Sequence, residues 1–587
     1  MTPIGCSQLL AFLVVLLLIT KPLGAYIADV FRGNRTFLSP LLLPVERFIY
    51  RISGANPKND QLWTTYAGAC LAFSLTNFLL FYALLRWQGY LALNPQGFGT
   101  IHAPAGATPM TPDLTFNTVV SFLTNTSWQA YAGETALSYF SQMAGVCVQS
   151  FASAGVGIAV AIAVIRGFVR QSHGRLGNFW VDLTRSVLYV LLPLSLIGAI
   201  VLCSQGVIQN FRPYQSAATV ENKTQMISQG PVASQESIKL LSSDGGGFFN
   251  ANSGHPFENP TPLANFVEML LILAIPAALT HTFGRMAGAP RQGWLLFAAM
   301  MFLFASGSIL ANWSEQQGNP RLHLDSGANM AGNMEGKEVR FGIPASALFS
   351  VVSTTSSDGA VNSAHDSFTP LAGLVQMFNM KSGEVIFGGT GSGLVSMLLL
   401  VLVTVFVAGL MVGRTPEYLG KKIESKEMKM VMLSSVGTAA AMLAFSAASL
   451  AVHFSTGSYW NPAGPLTSNL SNPGAHGLSE ILYASASAVA TNGSSFAGLN
   501  ANTPWFNLTL GIQMLIGRFL VIIPALSIAG NLSRKRKLVE TSGTMPTDNP
   551  LFLVLVLGTI FLITALTFLP AFSLGPIAEQ YLMIAHP

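Results

Sequence analysis

The sequence predicts an all-α integral membrane protein with ten transmembrane helices. Eight of them build four pseudo-symmetric helix–pore-loop–helix repeats around a central pore, and one extra helix stands at each end. Three observations lead there. Only 9% of the 587 residues are charged, while 51% are hydrophobic. Ten segments are long and apolar enough to cross a bilayer. Four of the stretches between those segments carry the same short polar core.

Composition sets the first limit. A soluble domain has roughly 25% charged residues, and a chain this long with so few could not solvate its surface, so that surface faces lipid. The net charge of +5 comes from short basic runs between apolar segments, which is not the footprint of a nucleic-acid binder. Cys6, Cys70, Cys147 and Cys203 lie in or beside apolar stretches without metal-ligand spacing, and read as small apolar residues. The first apolar run, Leu9 to Thr20, has no basic residue before it and no small-x-small site after it. It reads as a retained helix rather than a signal peptide. Lys21 and Pro22 interrupt it, which favours a kink and a snorkelling lysine.

The ten spans fall near 5–28, 62–86, 137–166, 180–207, 262–285, 292–312, 391–413, 429–454, 505–530 and 550–574. Most of the basic residues lie in alternate loops, among them Arg32, Arg47, Arg51, Arg166, Arg170, Arg285, Arg414, Lys421, Lys422 and the run Arg534 to Lys537. That asymmetry puts these loops inside and both termini outside. Four outside loops are long and end in stretches rich in Ser, Thr, Asn and Gly. Plain loops do not need that composition, whereas loops that re-enter the membrane do.

Aligned on their centres, the four stretches read Leu123-Thr124-Asn125-Thr126-Ser127-Trp128-Gln129, Leu241-Ser242-Ser243-Asp244-Gly245-Gly246-Gly247, Thr355-Ser356-Ser357-Asp358-Gly359-Ala360-Val361 and Ala490-Thr491-Asn492-Gly493-Ser494-Ser495. Each core alone is a common turn sequence. Four of them, each between two spans in the same topological place, form an internal repeat. The implied segments are 1–60 (first helix and loop), 61–177, 178–290, 291–425 and 426–540 (the four repeats), and 541–587 (last helix).

This arrangement suits a cation filter. A dehydrating cation needs oxygens in place of its water, and backbone carbonyls supply them when the side chains stay off the axis. Glycine helps by reaching backbone angles other residues avoid. Asp113 after Pro112, and Pro231 and Pro344, mark starts of short helices whose C-terminal ends would aim partial negative charge at the axis. The first repeat has Thr126 where the others have Gly245, Gly359 and Gly493, so the cage is only pseudo-fourfold. Asp244 and Asp358 read as scaffold acceptors behind the filter, the alternative being acids that raise cation occupancy at its mouth.

Further residues stand out. Lys381 to Gly393 contains Gly383, Gly388, Gly389, Gly391 and Gly393, too many for a continuous helix. With Leu371 to Met380 before it, this reads as a broken helix, with a Gly-rich gate loop (Gly388, Gly389, Gly391) below the filter. No Lys-Ser/Thr follows, so it is not a nucleotide-binding P-loop. Arg518 lies within a span and either faces a cavity, where it would repel cations and direct their exit, or snorkels to the inner surface. Glu268 reads as a structural acceptor for a neighbouring helix, the alternative being a site in the ion path, and His255 and His365 read as satisfied scaffold groups. The chain has no aspartyl-phosphate motif and no segment long enough for a nucleotide domain. It is expected to bind no nucleotide and to hydrolyse no ATP alone.

The stretches Thr124–Gln129, Gly245-Gly246-Gly247-Phe248-Phe249-Asn250-Ala251-Asn252-Ser253, Asn362-Ser363-Ala364-His365-Asp366-Ser367 and Asn492-Gly493-Ser494-Ser495-Phe496-Ala497-Gly498-Leu499 resemble the potassium-binding A subunits of bacterial Kdp pumps, the KdpA family, over essentially the whole chain. The resemblance implies a subunit that takes potassium from outside the bacterial inner membrane and passes it sideways to a P-type ATPase subunit, KdpB, with KdpC and often the small KdpF peptide alongside. It also implies a filter at Thr124, Asn125, Thr126, Ser243, Asp244, Gly245, Ser357, Asp358, Gly359, Thr491, Asn492 and Gly493, with Gln129 near its outer end and potassium held by backbone carbonyls. The competing expectation is a self-sufficient potassium channel or ion-coupled symporter on the same repeat.

Overall fold

The computed structural model describes residues 2–172, 174–320, 332–539 and 544–585. Among the described residues, ten helices have the length and apolar character to cross a membrane: Pro3–Arg32, Trp63–Arg86, Ser141–Val169, Phe179–Ser204, Pro262–Ala287, Pro290–Gln317, Ser392–Met411, Ser425–Ala451, Pro504–Arg534 and Pro550–Ala585. They match the ten segments expected from hydropathy, and the chain is a multi-pass membrane protein. The four cysteines are unpaired.

Several spans start on the same local signal. Thr2, Thr261, Thr503 and Asn549 each accept a hydrogen bond on the side chain from a backbone N–H three residues on, and each is followed by proline as the first helical residue. Proline has no N–H to leave unpaired there, and its fixed φ suits the first turn. The first and fifth spans end on Gly33 (φ 78°) and Gly288 (φ 68°), both left-handed caps that L side chains adopt at a cost.

Small residues let the spans pack closely, as expected where lipid removes the hydrophobic drive between helices. Gly24 of the first span lies on the Ala278 carbonyl of the fifth, and Gly167 of the third lies on Ala529 of the ninth. A side chain at either place would collide. The third span is the most enclosed, whereas the second and eighth keep most of their surface outward.

Four shorter helices sit between successive span pairs: Pro112–Leu123, Val232–Leu241, Gly342–Thr355 and Gly474–Val489. Their residues are almost wholly buried. A fifth, Pro370–Lys381, precedes the seventh span and is separated from it by the Gly-rich loop, so that helix is broken where the glycine content demands. Features that the sequence does not announce, among the described residues, are two short antiparallel hairpins, a long-range antiparallel pair between Gln61–Leu62 and Arg175–Gly177 and a helix, Ser39–Ser53, between the first two spans.

Candidate functional site

Each of the four short helices ends in the same way. The residue after its cap is left-handed: Asn125 (φ 62°), Ser243 (φ 45°), Ser357 (φ 57°) and Thr491 (φ 49°). The next N–H then turns back to the carbonyl five residues earlier. Thr126 donates to Ser121 at 2.9 Å, Asp244 to Lys239 at 2.9 Å, Asp358 to Ser353 at 3.4 Å and Asn492 to Ser487 at 2.8 Å. This is a Schellman-type ending, made here with four non-glycine residues in the left-handed position. Such strain survives only where the surroundings over-determine it.

The repeated hydrogen bond fixes the register between repeats, and it corrects the sequence alignment by one residue. Thr126 corresponds to Asp244, Asp358 and Asn492. The residue that stands with Gly245, Gly359 and Gly493 is Ser127, itself at φ 55°. Close approach gives the same register. A side chain at Gly245 would meet the Asp358 carbonyl, at Gly359 the Asn492 carbonyl and at Gly493 the Thr126 carbonyl. Each glycine faces the carbonyl just before the equivalent position of the next strand. Two further contacts join the first strand to the second. Asn125 Nδ2 donates to the Ser243 carbonyl at 2.6 Å, and Ser127 Oγ donates to Asp244 Oδ1. The strands therefore form a closed ring in the order one, two, three, four.

Side chains of the ring turn to the scaffold. Asn492 Nδ2 donates to the Ser353 carbonyl at 2.9 Å, and the Thr124 and Thr126 hydroxyls pair at 2.8 Å. Asp358 Oδ1 accepts from its own loop at the Ala360 N–H, 3.0 Å away. Asp244 and Asp358 are fully buried, and each spends one oxygen within the ring, Asp244 on Ser127 of the first strand and Asp358 on its own loop, and leaves Oδ2 without a partner. Gln129 bridges two loops, accepting from the Gly247 N–H at 2.8 Å and donating to the Tyr131 hydroxyl at 3.1 Å.

The Gly-rich loop lies across one end of this ring and touches all four repeats. Thr390 Oγ1 donates to the Ser242 carbonyl at 2.9 Å. Gly389 packs tightly beside the Ser356 carbonyl, and Gly391 (φ 101°) lies on the Gly157 carbonyl. Glu384 Oε1 accepts from Thr491 Oγ1 at 3.0 Å. Gly388 packs within the loop against Glu384 and Gly393. Beside Thr491 and Glu384 is a small cavity, about 20 Å³, lined also by Arg518 and by Val160, Val395 and Ile522 of three spans. Arg518 is buried and donates to the Ser153 carbonyl at 2.7 Å.

Buried acids brace the loops from behind. Glu258 accepts from the Phe249 N–H at 2.8 Å and pairs with Lys239 at 3.1 Å. Glu315 accepts from the Thr369 N–H at 2.7 Å and pairs with Lys337 at 2.6 Å. Glu480 holds the Ser471 and Asn472 N–H groups. His255 stacks on Phe249 with ring centres 3.8 Å apart and accepts from the Phe257 N–H at 3.0 Å, whereas His365, expected to be satisfied, bonds the Tyr483 hydroxyl at 2.7 Å through Nδ1 and leaves its buried Nε2 without a partner. Glu268, expected to be a structural acceptor, is fully buried with neither oxygen hydrogen-bonded.

At the N-terminal end of the fourth short helix, His476 links Asp366 (2.7 Å) and Glu579 (2.5 Å). Burial alone would lower its pKa, but the two carboxylate hydrogen bonds outweigh that and raise it to about 10. The cluster ties the third loop and the last helix to the fourth loop. Sequence reading missed it because the three residues lie more than 100 positions apart. Ser127, Glu384 and Thr390 were also absent from the expected site, since only their contacts mark them.

Comparison with known proteins gives concordant matches. Residues 10–581 match the family described as KdpA, potassium-transporting ATPase A subunit. A relative from Solibacter usitatus, named potassium-transporting ATPase potassium-binding subunit, is 53% identical over 99% of both chains. One of the same name from Brucella anthropi is 52% identical over 100% of this chain and 99% of its own. Among solved structures, the crystal structure of the potassium transporter TrkH from Vibrio parahaemolyticus superposes with a TM-score of 0.50, covering 89% of this chain and 96% of that one at 15% identity. That likeness concerns the fold.

Proposed function

The chain belongs to the KdpA family of potassium-transporting ATPase A subunits, and from that premise we propose how its four-loop ring does the work. The chain is the potassium-binding subunit of an ATP-driven potassium importer. The observation that carries the reading is the interlocked ring, in which four identically terminated helices bring four strands together with their side chains tied to the scaffold.

In this reading the carbonyls around Thr126, Asp244, Asp358 and Asn492, with those of their neighbours, replace the water of a dehydrated potassium ion. The helix ends add partial negative charge without any mobile counter-ion. Thr124, Asn125, Ser243, Ser357 and Thr491 shape the approach. Ser127, Gly245, Gly359 and Gly493 set the spacing between strands, and Gln129 stands at the mouth. The Gly388, Gly389 and Gly391 loop is the barrier below the filter. Arg518 discourages straight passage, so the ion leaves sideways. The receiving partner is a P-type ATPase subunit of the KdpB kind, with KdpC and KdpF alongside, in the bacterial inner membrane with both termini outside. The nucleotide chemistry belongs to that partner.

The test is ATP hydrolysis by whatever co-purifies with the chain in mild detergent. Stimulation by potassium and not by sodium supports the importer. A preparation that binds potassium, lacks ATPase and conducts potassium in liposomes would favour a self-sufficient channel or symporter.

A further inference from the structure

Lys381 is the last residue of the half-helix Pro370–Lys381, which carries it about 18 Å from the helix start at 1.5 Å per residue. It is 4% exposed. Its ammonium has no hydrogen-bond partner and no ion pair among the described residues. It lies instead over two rings of the last span, 4.9 Å from the Phe572 centroid and 5.6 Å from that of Phe568. An intramembrane charge without a counter-ion is costly, and such residues mark ion paths or partners.

Where it sits explains what it can do. Lys381 lines a cavity of about 100 Å³ that Ser382, Ser434, Thr438 and Thr564 also border, among a majority of apolar side chains. Their hydroxyls can help solvate a small cation, but they offer Lys381 no acceptor within hydrogen-bond distance. Glu384, Gly517 and Val521 border both this cavity and the smaller one beneath the filter. The two spaces therefore adjoin, and the larger extends toward the eighth and last spans, both of which are mostly exposed on their outer faces. Glu384 is the one ionisable group that Lys381 shares this cavity with. Its Oε1 is engaged by Thr491 and its Oε2 has no partner. Arg518 borders the smaller cavity, on the far side of Glu384.

We propose that Lys381 is a tethered cation in the side cavity that sets the rate at which potassium leaves the space below the filter. A potassium ion moving sideways enters a space in which protonated Lys381 places one positive charge, and it must do so past Glu384. The charge raises the barrier to lateral transit without touching the filter. Lys381 thereby governs turnover and leaves potassium affinity to the four-loop ring. This rests on the importer reading with sideways exit.

The experiment uses the intact complex with its ATPase partner and follows ATP hydrolysis against potassium concentration. Lys381→Met keeps the length and apolar stem while removing the charge. At intermediate effective dielectric, one charge at this range is worth about tenfold in rate. A rise in kcat of that order, with KM changed by less than about twofold, is the expected result. Lys381→Arg keeps the charge and should stay at or below the wild-type kcat. An unchanged or lower kcat in Lys381→Met, in a complex that still binds potassium by calorimetry, overturns the proposal. If that variant does not assemble, Lys381→Gln is judged by the same criterion. Absence of potassium stimulation in the wild-type complex would instead refute the importer reading, so the two failures are distinguishable.

Discussion

The Thr491 hydroxyl donates to the Glu384 carboxylate at 3.0 Å, tying the fourth strand of the ring to the Gly-rich loop beneath it. Charge-assisted bonds of this kind contribute about 1.5–3 kcal/mol, and here both ends border the cavity below the filter. Thr491→Val should free the loop and lower potassium-stimulated turnover, whereas Thr491→Ser, which keeps the hydroxyl, should stay near wild type. Steady-state ATP hydrolysis by the complex separates the two.

The register of the first strand makes a second prediction. Ser127 stands at the glycine position with φ 55°, a region a β-branched side chain tolerates poorly. Ser127→Val should cost roughly 1–3 kcal/mol of local strain and lose the hydrogen bond to Asp244. Thr126→Ser, one residue earlier, removes a methyl group and keeps the hydroxyl that pairs with Thr124. Potassium affinity should fall in the first and change little in the second. The reverse order would restore the alignment with Thr126 at the glycine position.

A third prediction concerns pH. The His476 pKa is raised from its ordinary 6.5 to about 10 by two carboxylates. A raised folded-state pKa gives a stabilisation that is fully present below pH 6.5 and disappears as pH climbs through about 10. The thermal midpoint should therefore decline across that window, and His476→Gln should flatten the decline. Differential scanning in detergent at several pH values measures it. An equal slope in the variant would show that the cluster contributes nothing.

A fourth prediction concerns the scaffold. Arg166 and Asp182 form a two-point pair at 2.6 and 2.9 Å, joined by the Tyr66 hydroxyl at 3.1 Å. Asp182 is 1% exposed, and removing one partner of a buried pair costs about 3–5 kcal/mol. Asp182→Ala should lower the thermal midpoint sharply. Potassium stimulation of whatever folded complex remains should be unchanged, because the pair lies away from the ring.

Much of the architecture could be read in advance because lipid imposes a strong rule on composition. The ten apolar runs had no soluble alternative, and the glycines from Gly383 to Gly393 could not hold a helix. The first strand resisted because Thr124-Asn125-Thr126-Ser127 has no glycine to mark the centre, and a polar run slides by one without penalty until the hydrogen bond from Thr126 to Ser121 is seen. Arg166 counts toward orientation as a loop cation, yet its partly exposed guanidinium is paired with the buried Asp182. Lys381 stands in the sequence only as the start of the Gly-rich stretch, because only tertiary structure shows that no acceptor reaches it.

The central claim is that the ring of four strands confers potassium selectivity on the ATPase. Gly359 has φ 79°, and its missing side chain makes room for the Asn492 carbonyl of the next strand. The most direct measurement is ATP hydrolysis by the complex carrying Gly359→Ala, stimulated by potassium and by sodium in parallel with wild type. The account predicts weaker potassium stimulation and reduced discrimination against sodium. Unaltered affinity and discrimination in a folded complex would contradict it.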